Sequence, residues 1–200
     1  MLALLVASLL AGQEVLLDRT LAVVGGQVIT LADVRVARAL GLVEEADTAD
    51  DDALTERLID RALVLREVQR YAPPEPAADA VDARLRETQG RFAAEAAYRE
   101  ALAAGGFTDE RLRTWFRNDL RIAAYLDQRF AAAGTPTEAE VAAYYAARRA
   151  EYERDGQSYE AAAPRIRERL AADRRRDLIA DWIADLRRRT EIIRLAGPGA

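Results

Sequence analysis

The sequence predicts a mostly α-helical fold with a small β patch, and three observations predict it. Apolar residues recur at helical spacing through most of the chain, capping residues with acidic first turns punctuate it, and β-branched runs occur only near its two ends. Length and balance agree: 200 residues suit one domain or two interlocked lobes, and a chain that is 50% apolar and 32% charged has the composition of a folded protein.

Residues 2–11 form an apolar run too short to span a bilayer as a helix but of the length of a secretory signal core. Ser8 to Gln13 supplies small residues for cleavage, although nothing basic precedes Arg19, so the signal is of atypical form. Residues 1–13 are therefore read as a signal peptide, with export expected; a buried N-terminal segment is the alternative.

Leu21 to Val24 and Val28 to Ile29 are β-branched and apolar, and Gly25-Gly26 supplies the positive φ angles of a tight hairpin turn. Thr30 with Asp33 reads as a capped helix start, and a helix is expected from Leu31 to about Leu42. Beyond an acidic loop, Leu54, Leu58, Ala62, Leu65 and Val68 keep helical spacing, and Ile59 with Leu63 widens the stripe into a face that needs cover on more than one side. Pro73-Pro74 ends that helix. Pro76 opens the next, with Val81 and Leu85 on its buried side as far as Gly90.

A short helix over 93–104 closes at Gly105-Gly106, and Thr108 with Asp109 and Glu110 starts a long one reaching about 132. After Gly134-Thr135-Pro136, Thr137 and Glu140 form a capping box for a helix to about Arg154 that carries Tyr144, Tyr145 and Tyr152. Asp155-Gly156-Gln157 is a turn and Ser158 a cap. The last helix places Ile166, Leu170, Leu178, Ile179, Trp182, Ile183 and Leu186 on one broad stripe. Thr190 to Leu195 is β-branched again and too short to stand alone, so it is expected to pair with the N-terminal hairpin in a three-stranded patch.

Absences narrow the chemistry. There is no Cys, no His and no Lys, so all 29 basic residues are Arg. Thiolate, imidazole and Schiff-base catalysis are thereby removed, as is a phosphate-binding loop lysine. Any metal site would be all-carboxylate, and the run Asp50-Asp51-Asp52 lacks the Gly and Glu of a calcium loop. No metal, cofactor or catalytic residue is expected. The net charge of -5 argues against a general nucleic-acid binder. Charge is unevenly spread, with an acidic stretch over 44–60 and an Arg-rich one over 165–194, and the two are expected to attract; within the latter, Asp173, Asp177, Asp181 and Asp185 also permit pairs along one helix.

In order along the chain, LDRTLAVVGGQVITLADV, ALTERLIDRALVLREVQRY and the capped TPTEAEVAAYYAARRAEY resemble the N-terminal domain of SurA-type periplasmic chaperones. The closing SYEAAAPRIRERLAADRRRDLIADWIADLRRRTEIIRL resembles the helix and strand that those proteins place after their isomerase domains. The likeness covers nearly everything from Leu17 to Leu195. In that family one or more parvulin domains separate the last two elements; here only Glu153 to Gln157 lies between them. The resemblance thus implies a helical module over 14–154, a helix and strand over 155–200 that pack back on it, and chaperone function without isomerase activity.

What the resemblance implies is an ATP-independent periplasmic holdase for unfolded exported or outer-membrane proteins, with no nucleic acid and no stable membrane insertion. Such a protein needs open apolar surface, worth about 25 cal/mol per Å2 buried. Two surfaces are candidates. The helix starting at Thr108 offers Leu112, Trp115, Phe116, Ile122, Tyr125, Leu126 and Phe130, spread around more than one side; the crevice against the last helix offers Trp182, Ile183 and Leu186. Ordinary core packing is the alternative for each. For the whole chain the alternatives are a non-catalytic scaffold or adaptor for a folded partner or separate isomerase subunit, an enzyme using carboxylates alone, and a nucleic-acid binder acting through the last helix.

Overall fold

The computed structural model describes residues 18–44, 46–131 and 135–195. The apolar run at 2–11, Gly134 and the closing residues 197–200 lie outside them. β1 (Thr20–Val24) pairs antiparallel with β2 (Gln27–Thr30), and the last strand, β3 (Ile192–Arg194), lies antiparallel on its other side, giving the order β2-β1-β3. The expected hairpin and the expected union of the two ends of the chain are both present. Gly25 (φ 53°) and Gly26 (φ 91°) make the two-residue turn, a conformation that side chains resist and that matches the twist of paired strands. Ala22, Val24 and Ile29 face the core, while Val23 sits opposite both Val28 and Ile193 on the outer face.

Thr30 and Asp33 form the capping box of α1 (Leu31–Ala39). The helix stops short of Leu42 because the chain reverses at Gly41, where the Leu42 N–H donates to the Ala37 carbonyl at 2.8 Å. That reversal leaves Leu42 and Val43 in a connection rather than on a helix. Asp50 caps α2 (Asp51–Tyr71) by accepting from the Ala53 N–H at 2.7 Å. Next come α3 (Ala78–Gln89) and α4 (Glu95–Ala103). The end of α4 carries two carbonyl-satisfying bonds, Gly106 N–H to Ala103 at 3.0 Å and Phe107 N–H to Leu102 at 2.9 Å, with Gly106 at φ 62°. Its neighbour Gly105 serves packing instead: a Cβ there would run into Val36 of α1.

Thr108 caps α5 (Asp109–Arg129). The single helix expected from Thr137 to about Arg154 is two, α6 (Glu138–Ala147) and α7 (Arg149–Arg154), broken at Arg148. The break folds Tyr152 back onto Tyr145, the rings stacked with centroids 5.0 Å apart, and the Tyr145 hydroxyl donates to the Gln157 carbonyl at 3.0 Å. Ser158 then caps α8 (Tyr159–Arg189), which at 31 residues is about 46 Å long.

No single core spans such a helix. Its first turns pack Ala162, Ala163 and Ile166 against Val141 of α6 and the tyrosines around it, forming an arm with its own small core. Its last turns place Trp182 and Leu186 in the main core with the sheet, α1 and α2. A third cluster joins α1, α3, α4 and α5 around Val36, Leu85, Leu102 and Leu112. Leu178, between the two docked ends, is 45% exposed.

Opposite charges fix the far end of α8. Arg187 reaches Glu56 (2.8 Å) and Asp60 (2.6 Å) on α2, Arg194 of β3 reaches Glu56 (2.6 Å), and Arg189 reaches Glu67 (3.3 Å). The attraction between the acidic and Arg-rich stretches is thus made at their ends. Other arginines pair along α8 itself, Arg176 with Asp173 and Arg188 with Asp185.

Candidate functional site

The candidate apolar residues divide by depth. Leu112, Phe116, Tyr125, Trp182 and Leu186 are buried, and their partners show why. Leu112 and Phe116 belong to the cluster under α3 and α4. Tyr125 and Trp182 face each other with centroids 5.9 Å apart, and Phe130 meets the same indole edge-on at 5.8 Å, so these rings weld α5 to α8. Among the three, the ring edges and faces supply the attraction expected of offset aromatic pairs.

Ile122 and Ile183 behave differently. Both are half-buried, and with Leu126 they line a groove of about 490 Å3 bounded by α2, α5, α8 and the connection after α1. The two surfaces that the sequence offered separately, one on α5 and one against α8, therefore meet in one place. Val64 forms the floor and Leu42 with Val43 the opposite lip. Those three escaped the residue pattern of the candidates. The widened stripe of α2, with Ile59 and Leu63 needing a second cover, was the signal that α2 touches more than one neighbour; nothing local marked Leu42 and Val43, whose place follows from the reversal at Gly41.

Charged side chains ring the groove. Glu44, Arg57, Asp60, Arg61 and Asp119 line its margin. Arg61 is the most constrained: its guanidinium lies over the Trp115 ring at 3.5 Å, bonds the Asp119 carboxylate at 2.7 and 2.9 Å, and reaches the Trp115 carbonyl at 3.3 Å. Burial pushes the Asp119 carboxyl above the usual carboxylate range, and Arg61 opposes that push by favouring the ionised form. Among the described residues the enclosed Trp115 indole N–H meets no acceptor at bonding geometry, yet it lies close enough to Asp119 to favour its charge as well.

Trp115 does not face the groove. It lines a second, smaller depression of about 190 Å3 on the other side of Arg61, next to β2. Arg61 is the wall shared by the two. The larger hollow carries the carboxylates of Glu44, Asp60 and Asp119 and the smaller that of Asp33, with arginines on both, and among the described residues no cluster of three or more carboxylates is spaced to hold a metal ion. Among those residues, too, no helix is long and apolar enough to cross a membrane. What the larger groove offers chemically is aliphatic surface with a mixed-charge rim, within the size range of pockets that take side chains and small ligands. No family model and no curated protein matches the chain.

Proposed function

We propose that this chain is an ATP-independent holdase of the SurA type, acting on unfolded exported polypeptides in the periplasm and carrying out no reaction. The observation that carries the reading is the open groove in which Ile122, Leu126 and Ile183 stay half-buried although each packs against the main core. An aliphatic segment entering it loses apolar surface to the protein, while the rim of Glu44, Arg57, Asp60 and Asp119 keeps the loaded chain wettable. The order of sequence elements shared with SurA-type chaperones, with no room for an isomerase domain between Glu153 and Gln157, supports the same reading.

The test is light scattering of a chemically unfolded outer-membrane protein diluted into buffer without nucleotide. Equimolar chain is expected to suppress aggregation of several unrelated clients, and the double variant Ile122→Asp, Ile183→Asp to lose most of that protection while keeping its helical circular dichroism. Protection of no client would favour a scaffold for one folded partner; protection undiminished in the variant would move the binding surface elsewhere.

A further inference from the structure

The groove at Ile122 and Ile183 has two unlike sides. Its far wall is uncharged, built from Ile122, Ala123 and Leu126 of α5 and Ile183 of α8. Apart from Asp119, its rim charges stand on the near side, on α2 and the connection after α1. With one exception they are already engaged. Arg61 holds Asp119 at 2.7 Å, Arg187 of α8 holds Asp60 at 2.6 Å, and Arg57 donates to the Glu44 backbone carbonyl. The exception is the Glu44 carboxylate, which is exposed and, among the described residues, meets no cation. Across Val43 lies a neighbouring hollow of about 410 Å3 that includes Leu40, Asp47, Arg91 and Phe92. There Arg91 is taken by Glu87 at 3.1 Å, while Asp47 is exposed and unpaired among the described residues.

The lip made by Leu42 and Val43 is therefore an aliphatic ridge with an uncommitted carboxylate on either flank and every neighbouring cation engaged. An exposed carboxylate takes a cation at little desolvation cost, because both charges keep part of their water. A Lys or Arg side chain suits such a ridge twice over: its methylene stem covers apolar surface and its head reaches the charge beyond. An Asp or Glu in the same place meets like charge and finds the arginines already held.

We propose that the groove selects unfolded segments carrying Lys or Arg within a few residues of an aliphatic side chain. The aliphatic group packs against Ile122 and Leu126, and the cation crosses the Val43 ridge to Glu44 or Asp47. Segments with Asp or Glu beside the aliphatic residue are poor clients. The inference rests on the reading of the groove as the client site and adds a chemical class to it.

Fluorescence anisotropy with the full chain tests this, using two labelled peptides that share one aliphatic run, flanked by lysines in one and by glutamates in the other. At about 0.1 M salt the lysine peptide is expected to bind about fivefold tighter or more, and at about 1 M salt the two are expected to converge. The double variant Glu44→Gln, Asp47→Asn is expected to remove most of the difference. Both side chains are exposed and the Glu44 carbonyl used by Arg57 is kept, so the fold stays as it is. Equal binding of the two peptides, lost in Ile122→Asp, overturns the charge preference and leaves the groove as the client site. A preference that survives the double variant overturns the proposal as well, since it then belongs to the net charge of -5 of the whole chain. Binding undiminished in Ile122→Asp overturns the proposal and the client reading together, as does binding of neither peptide, whether the chain sediments as a monomer or as a dimer closed over the groove.

Discussion

Tyr98 on α4 and Asp109 in the first turn of α5 are joined by a hydrogen bond from the phenol to the carboxylate, 2.6 Å long, inside the cluster around Leu102. Burial first, and then the neighbouring carboxylate, pushes the Tyr98 phenol up to about 12 from its ordinary 10.0. A phenol that holds its proton more tightly when folded stabilises the fold fully below the unfolded value near 10, and that contribution fades as pH rises from 10 through 12. Tyr98→Phe should therefore cost about 1 kcal/mol at pH 7, read by urea unfolding, and the gap between the two proteins should close over that alkaline window. The sequence marked Asp109 as a first-turn acid after Thr108. It did not mark the second partner, because a bond between two helices leaves no trace in the spacing along either one.

Elements were the most legible level. The caps at Thr30, Thr108, Thr137 and Ser158 and the hairpin glycines all sit where local chemistry put them, since each acts within a few residues of its own position. Two boundaries moved: α6 and α7 part at Arg148, where Tyr152 stacks back on Tyr145, and the turn at Gly41 ends α1 early. The candidate site was half legible for the same reason. Helical spacing identified Ile122 and Ile183 as apolar but gave five deeply packed residues the same weight, because a stripe does not say which of its members a neighbour covers. Charge asymmetry succeeded at longer range. Arg187, held by Glu56 and Asp60 and with its own pKa raised first by Asp60, clasps α8 to α2. Arg187→Gln should lower stability by about 1–2 kcal/mol in urea at 0.1 M salt, and the difference should shrink at 1 M salt as these partly exposed charges are screened.

At the scale of the whole molecule, α8 joins two bodies of unequal stability. The arm of α6, α7 and the first half of α8 depends on a core of four buried residues with Val141 fully enclosed at its centre, whereas the main core gathers the sheet and parts of four helices. Val141→Ala should destabilise the arm by about 1–3 kcal/mol, seen as faster hydrogen exchange through Glu138–Arg154 while amides of α2 keep their protection. The sheet carries a different consequence, one of timing. Among the described residues β1 precedes and β3 follows all the helices, so during synthesis β1 keeps one flank open until the chain through α8 has been made. A chain lacking Ile192–Arg194 keeps its helix caps but leaves that flank unsealed, so the pairing of Val23 with Ile193 reports that the segment after α8 is present and folded back.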